Sequence, residues 1–468
     1  MSERDIVPEL PEFPSPGPGG LTAHLAGRLA ALAAVCGPRR RLLLGVSGGV
    51  DSMLMLTLVH AAAAGRMPLR VVHVHHGLQA QADAWAGQVQ AYCAQLDVPC
   101  AVVPVDVDRT QPSREAAARA ARHAAFAREL QPGDALLLAH HADDQAETLL
   151  LRLLRGSGAG GLAAMREWRA LPSPSDAFLW RPLLAVRRTD IEAEARRRAL
   201  VWVEDASNAD RLHDRNFLRH DVLPLLAGRW PAVAGTLAAT ARRLADTDAL
   251  LNGFLDAGLA PLLLPGSVDA GGRLQLDAAL LRTQAAELRL ALLRRWLARI
   301  GAPLFSEAWL RELDALAASR VDAEGELRVG GWELHRFRDR LTAFPALSPA
   351  EAGRELPWNG RDALDLGTGH GVLLPVAAGL PLALPAGAQL SVRFRAGGER
   401  LLPAGGSGHR PLKKVLQDGD VPPWLRSRLP LLYVNGTLAA VGDLLADAAF
   451  APGNGRMANL HLRWQRPG

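Results

Sequence analysis

The sequence predicts an α/β protein: a doubly wound parallel sheet, followed by a helical domain and a small α+β C-terminal domain. Three observations carry this. Between residues 41 and 155, short apolar runs alternate with helical stretches, the pattern of a parallel sheet covered on both faces with right-handed crossovers. Beyond residue 226 the chain turns to leucine- and alanine-rich helical stretches with arginine on the opposite face. A joint rich in proline and glycine then sets off a last segment of short strand-like runs. At 468 residues the chain exceeds one hydrophobic core, and 49% hydrophobic with 22% charged residues is globular composition.

Residues 1–20 scatter Glu3, Asp5, Glu9 and Glu12 among prolines, the reverse of a basic and then apolar signal, and are expected as a disordered leader. The first strand, 42–46, is apolar and ends in Ser47-Gly48-Gly49; a helix follows over 51–65. Valine makes 69–74 a strand, 84–96 reads as a helix, 101–105 as a strand, and 114–130 as a helix of alanine and arginine. A fourth strand at 135–139 leads into a helix at 143–155. These elements place one ligand-binding α/β domain over 21–226. Helices at 232–257, 277–300 and 307–318, with a small β-like region at 326–344, make a second domain over 227–345. Residues 346–384 read as a linker and 385–468 as the C-terminal domain. The longest uncharged stretch, 371–392, is broken by Pro375, Pro381 and Pro385, which is poor transmembrane material. A soluble, cytoplasmic protein without a membrane partner is expected, its oligomeric state open, a homodimer included.

Composition excludes several classes. Cys36, Cys93 and Cys100 cannot make a disulfide framework, and no CxxC pair offers a zinc or iron–sulfur site. Lys413 and Lys414 are the only lysines, so no Walker-type loop, which needs a lysine before its Ser/Thr, exists in the first 412 residues. The formal charge of +5 permits an anionic partner without demanding one.

Three polar clusters fall at the carboxyl ends of predicted strands, at 47–52, 73–78 and 140–144, where open α/β sheets bind ligands. In the first, Gly48 and Gly49 let the backbone approach an anion, and the N–H groups of Val50 and its neighbours open a helix. Ser47 and Ser52 can add hydroxyl donors, and Asp51 can hold Mg²⁺ against phosphates. The bland alternative is a capped glycine turn. His73, His75, His76, His140 and His141 with Asp143 and Asp144 suit a metal hydrolase in principle. The competing reading sets His140 and Asp144 beside phosphates and the His76-Gly77 loop beside a nucleoside. Arg119 and Arg122 share one helix face, which suits either an anion or plain solvent. The GxGxxG string at 156–161 follows a helix rather than a strand, so it is not a dinucleotide fingerprint.

Ser47-Gly48-Gly49-Val50-Asp51-Ser52 resembles the loop of the PP-loop ATP pyrophosphatase superfamily, which cleaves ATP between its α- and β-phosphates. Longer strings narrow the resemblance. His73-Val74-His75-His76-Gly77-Leu78, Glu115-Ala116-Ala117-Ala118-Arg119 and the run from Ala139 to Thr148 are similar to the tRNA(Ile)-lysidine synthetase family. So are Leu153-Leu154-Arg155-Gly156-Ser157-Gly158, Arg181-Pro182-Leu183-Leu184, Asp205-Ala206-Ser207-Asn208 and Arg215-Asn216-Phe217-Leu218-Arg219, in the family's order. Arg393 to Arg400, Leu412-Lys413-Lys414-Val415-Leu416 and Val421 to Arg426 resemble the C-terminal domain of its longer members. One departure stands out: His75-His76 replaces an expected Asn/Asp-His.

The resemblance implies ligation of L-lysine to C2 of the wobble cytidine in the CAU anticodon of isoleucine tRNA. It implies ATP and Mg²⁺, an adenylated cytidine intermediate, and release of AMP and pyrophosphate. Asp51 and Asp144 are then the metal-side carboxylates, and Arg119 and His140 the phosphate or transition-state partners. Asp144 or Glu147 is the expected acceptor of the lysine proton. Ser47, Gly48, Gly49, Val50, Ser52, His76 and Gly77 would bind ATP; Arg215, Asn216 and Arg219, and distally Arg410, Lys413 and Lys414, would face the tRNA. A thiolase of the same superfamily would want cluster-binding cysteines, which Cys93 and Cys100 do not supply. A non-catalytic RNA-binding relic would not need Asp51, Arg119, His140 and Asp144 all intact.

Overall fold

The computed structural model describes residues 20–37, 40–63, 66–77, 81–106, 114–174, 176–204, 211, 213–264, 274–303, 305–319, 325–346, 354–406, 408–453 and 456–466. Residues 1–19 of the expected leader and the Asp205–Asn208 string lie outside them. Two compact units divide the chain, Met1–Leu251 and Asn252–Gly468.

In the first unit, α1 (Leu21–Cys36) precedes β1 (Leu42–Gly45), α2 (Val50–Ala63), β2 (Leu69–His75), α3 (Ala82–Gln95), β3 (Cys100–Pro104), α4 (Arg114–Glu129), β4 (Ala135–Leu137) and α5 (Ala142–Leu154). The expected alternation is therefore present, element by element. After a short turn α6 (Ala159–Leu162) come two strands that the periodicity did not reveal, β5 (Trp168–Ala170) and β6 (Phe178–Trp180), then α7 (Arg188–Arg197). The sheet runs β3-β2-β1-β4-β6-β5, parallel except for β5 at its edge.

Alternation along β1 explains the two covered faces. Leu42 and Leu44 enter one core with α1, α2, α3 and α7, through residues such as Leu25, Met53, Val89 and Ile191. Leu43 enters the opposite core with Val72, Phe126 of α4, Leu136 and Leu179. Since β1 leads outward through β2 to β3 while β4 lies on its other side, the strand order reverses between β1 and β4. Ligands bind in the crevice at such a reversal.

Further on, α8 (Asp214–Phe217), a π-helical turn Leu218–Val222, α9 (Leu223–Arg229) and the long α10 (Val233–Leu259) follow. The boundary between units falls inside α10.

The second unit is less helical than expected. Its middle part carries a five-stranded antiparallel sheet in the order β7-β8-β11-β10-β9, from β7 (Leu263–Leu264), β8 (Gln275–Asp277), β9 (Gly325–Val329), β10 (Trp332–Phe337) and β11 (Arg340–Pro345). The single helix expected over 277–300 is two, α11 (Ala278–Arg282) and α12 (Ala286–Arg299), after a strand. Asp277 ends that strand and caps α11 by accepting from the Leu280 N–H at 3.0 Å. With α13 (Glu307–Ala318), these helices bury Trp296, Leu293 and Leu313 against Leu334 and Leu341 of the sheet.

Residues 354–384, expected as linker, instead build the C-terminal sheets. Glu355–Trp358 pairs with Leu390–Arg393, and Val372–Leu382 pairs with Leu460–Gln465. Trp358, Leu373 and Leu382 join one core with Leu431 and Trp464. The prolines and glycines that suggested a linker mark turns and a register shift between Pro375 and Leu380.

Within this unit the middle sheet is fastened to the C-terminal part by Glu333 of β10. It is 2% exposed, accepts from Arg428 at 3.1 Å and lies 3.1 Å from His335 Nε2. His335 stacks on Trp424 with centroids 4.5 Å apart. Removing one partner of a buried ion pair strands the other. Arg428→Met is therefore expected to destabilise this unit by about 3 kcal/mol, and Glu333→Gln added to it to restore much of the loss. Denaturant unfolding of the three proteins checks this.

Candidate active site

The chain leaves β1 through Gly45, where a Cβ would stand 2.7 Å from Leu138 Cδ2 and 2.7 Å from Phe126 Cζ. Only glycine lets the strand end pass beneath α4 and the β4 exit. Gly48 then takes φ +92°, which turns the backbone so that α2 begins at Val50. Ser52 Oγ donates to the Gly49 carbonyl at 2.9 Å and accepts from the Ser47 N–H at 3.2 Å, and the two serine hydroxyls are 3.2 Å apart. The loop is thereby held open by its own hydroxyls, with the N-terminus of a helix of 14 residues behind it. From the far side Val203 donates its N–H to the Gly48 carbonyl at 2.9 Å. Val50 itself is buried, so its side chain anchors the helix in the core while its backbone serves the loop.

At the exit of β4, His141 and Asp144 cap α5 reciprocally: His141 Nδ1 accepts from the Asp144 N–H, and Asp144 Oδ2 from the His141 N–H at 3.1 Å. The imidazole of His141 lies between the two carboxylates, with Nε2 3.7 Å from Asp51 Oδ1 and 3.4 Å from Asp144 Oδ2. Burial disfavours its charged form, yet Asp144, Asp143 and Asp51 together hold its pKa above the ordinary value. Asp143 meanwhile accepts from the Arg188 N–H at 2.8 Å, fixing the start of α7.

Asp144 is also bound at Oδ1 by Arg215 at 2.9 Å and Arg219 at 3.1 Å. The same two arginines take both oxygens of Glu147, at 2.6 Å each. Glu147 has no exposed surface. The π-helical turn after α8 accompanies this arrangement, and such turns collect at functional sites. Despite its burial, Asp144 is held well below the carboxylate range by His141, Arg215, His140 and Arg219. Asp51 behaves oppositely. Burial raises its pKa, and Oδ1 is a buried oxygen with no hydrogen-bond partner.

These groups surround a cavity of about 420 Å³. Ser47, Gly49, Asp51 and Ser52 line it together with His76, Arg119, His140 and Arg215. The volume falls in the range of small-ligand sites. Gly77, at φ +58°, turns the second-strand loop, while His75, which also lines the cavity, has its Nε2 2.9 Å from Asp83 Oδ1. Asp51 and Asp144 suit a hard divalent cation, which takes oxygen ligands, and the unpartnered Asp51 oxygen is what such an ion would satisfy. The strand-end clusters predicted from sequence are thus brought together. Arg122 is on the same wall as Arg119.

Other expectations fare differently. Arg215 and Arg219, expected to face tRNA, are engaged with the site's own carboxylates; Asn216 lies half-buried between them. Glu147, an expected proton acceptor, has both oxygens on guanidiniums. The sequence gives His141 as part of a histidine cluster and of the run from Ala139 to Thr148, and its N-cap role follows from its place before Ala142-Asp143-Asp144. In the second unit Arg410 pairs with Asp418 at 2.6 Å, and Lys413 and Lys414 are exposed on the helix Leu412–Asp418. The 156–161 glycines close α5 and form α6, as their place after a helix implied.

The opposite environments of the two aspartates separate their contributions to folding. Asp51→Asn removes a desolvated charge and is expected to leave the unfolding midpoint unchanged or raised. Asp144→Asn breaks the cap and leaves two guanidiniums short of charge, costing about 1–3 kcal/mol. Thermal unfolding of both variants without nucleotide measures the difference.

Comparison with known proteins gives a consistent picture. The PP-loop domain family matches residues 21–226, the TilS substrate binding domain 276–342, and the TilS substrate C-terminal domain 390–464. The chain is 45% identical to the tRNA(Ile)-lysidine synthase of Xanthomonas axonopodis pv. citri, over 87% of this chain and 90% of that one. It is 41% identical to the Serratia proteamaculans enzyme of the same name, covering 93% and 98%, and 40% identical to that of Methylococcus capsulatus, covering 89% and 94%.

Proposed function

The chain belongs to the tRNA(Ile)-lysidine synthase family, and on that premise we propose how its own residues carry the reaction. The protein is a ligase that forms a C–N bond. It uses ATP to join lysine to C2 of the wobble cytidine in the CAU anticodon of isoleucine tRNA, so that the anticodon reads AUA instead of AUG and the tRNA carries isoleucine identity. The observation that supports these residue roles best is the meeting of Asp51, which lines the cavity, and Asp144 across His141, from the ends of β1 and β4.

In the first step the cytosine C2 oxygen attacks the α-phosphate of ATP and pyrophosphate leaves. The open loop and the N-terminus of α2 receive the phosphates through backbone N–H groups, with Ser47 and Ser52 keeping the loop in shape. Arg119, exposed at the cavity wall, meets the charge that develops there. Asp51 and Asp144 would hold Mg²⁺, which when bound neutralises phosphate charge.

In the second step the lysine ε-amine attacks C2 and AMP departs. An amine with a pKa about 10.4 must lose a proton to do so. Asp144 is too acidic in this setting to take it, and Glu147 is fully engaged by Arg215 and Arg219. The departing phosphate is the acceptor that the reaction itself supplies. Arg215, the member of the Asp144–Glu147–Arg215–Arg219 cluster that lines the cavity, instead offers a fixed charge that can orient lysine's carboxylate. The target base must leave the anticodon loop to reach this depth. Among the described residues no single helix is long and apolar enough to cross a membrane, and we place the protein in the cytoplasm with its tRNA.

Incubation with ATP, labelled lysine and total tRNA tests this reading. Label is expected in the CAU isoleucine tRNA and not in elongator methionine tRNA, and Asp51→Ala or Asp144→Ala is expected to lower turnover by at least on the order of 10²-fold while tRNA is still bound. Incorporation by either variant at the normal rate would refute the metal-side assignment.

Lys413 and Lys414 give a second expectation. Removing both by alanine should raise KM for tRNA and reduce its salt dependence by about two phosphate contacts, with kcat nearly unchanged. Steady-state kinetics at two ionic strengths measures this.

A further inference from the structure

His140 follows β4 and presents one edge of its ring to the cavity. The other edge is occupied. Arg181, the residue after β6, donates its Nε–H to His140 Nδ1 at 3.3 Å and an Nη1–H to the Arg166 carbonyl at 2.6 Å. Arg181 is 4% exposed, so the guanidinium has little freedom to turn away. A guanidinium carries donors and no acceptor. The imidazole nitrogen that faces it must present a lone pair, which puts the single proton of the neutral ring on Nε2. A protonated ring would set two N–H groups head to head.

The surroundings agree with this geometry. Burial, together with Arg181, Arg215 and Arg119, outweighs the pull of Asp144 and brings His140 down to about 3. Arg181, drawn down to about 10 by burial and by Arg169, Arg119 and Arg152, still carries its charge at neutral pH.

We propose that Arg181 is a positioning residue: by donating to His140 Nδ1 it fixes the imidazole in the Nε2–H form, so that His140 meets the substrate as a neutral hydrogen-bond donor. This rests on the placing of the ATP phosphates in the cavity. It gives Arg181, a residue with no role in the reaction so far, a definite one. The donated bond would go to an oxygen of the α-phosphate, on which charge grows as cytosine attacks, and no proton is transferred.

The test combines spectroscopy with two shape-matched substitutions. The full chain labelled with ¹⁵N-histidine is compared with His140→Gln to assign the His140 signals. The expected signature is an unprotonated Nδ1 and a protonated Nε2 throughout the neutral range; a proton on Nδ1, or an imidazolium at neutral pH, overturns the proposal. In Arg181→Met the Nδ1 signal is expected to move and kcat to fall more than KM for ATP rises. An unmoved Nδ1 signal in a folded Arg181→Met would also overturn it. A glutamine amide reaches the Nε2 position and an asparagine amide the Nδ1 position. His140→Gln should therefore retain turnover within on the order of 10-fold, while His140→Asn loses on the order of 10²–10³-fold. Equal losses in both would remove the donor role. Absence of lysidine formation by the unsubstituted chain would instead overturn the function, on which the spectroscopic signature does not depend.

Discussion

A carboxylate with no exposed surface needs its charge met, and Glu147 has two guanidiniums to meet it. Much of the site's geometry hangs on this constraint. Glu147 and Asp144 stand three residues apart on α5 and share a face; Arg215 and Arg219 stand four apart and share another. The two faces can neutralise each other only if α8 and its π-helical turn lie directly against α5. Removing one member of such an arrangement strands its partners, which is reason enough for the segment to hold its place. The same arginines keep Asp144 ionised, so structural and chemical roles fall on one set of atoms.

Asp51 and Asp144 illustrate how the same side chain is set to two tasks by its surroundings. Asp144 is surrounded by cations and a capped backbone. Asp51, on the first turn of α2, is half-buried, and its enclosed Oδ1 has no hydrogen-bond partner. A buried unpaired acceptor is costly, and the site tolerates it where a positive ligand can be expected to supply the missing partner. The reversal of strand order between β1 and β4 is what brings the pair together, because neighbouring strand ends then open onto one crevice without any connection crossing it.

Local patterns made much of this legible. Four strands with their helices could be read from alternation, because each carries an apolar run bounded by turn residues. The glycine loop was legible because Gly45 and Gly48 serve backbone requirements that no other residue meets without strain or displacement. Strands β5 and β6 escaped, since three residues such as Trp168–Ala170 give no measurable period, and Phe178–Trp180 is apolar at every position because it is buried on both faces. The 354–384 stretch was misread for a physical reason. Proline and glycine mark turns inside a sheet as readily as they mark a linker, and only pairing with the distant Leu460–Gln465 distinguishes them. The Arg181–His140 bond joins residues 41 positions apart, and spacing alone carries no trace of it.

Charge in the C-terminal part shows the limit of counting basic residues. Arg393 is paired with Glu355, Arg395 with Glu399 and Arg410 with Asp418, and Arg400 donates to the His409 carbonyl. These arginines hold turns and strand ends together, so their positive charge is largely answered inside the fold. Lys413 and Lys414 differ, being exposed on consecutive positions of one short helix whose Leu412, Val415 and Leu416 are buried. If this helix meets phosphates as proposed above, two cations add modest affinity, and their use lies in register. Register requires rigidity behind the contacts. Glu333 with Arg428, and His335 against Trp424, supply such rigidity by joining the middle sheet to the C-terminal part.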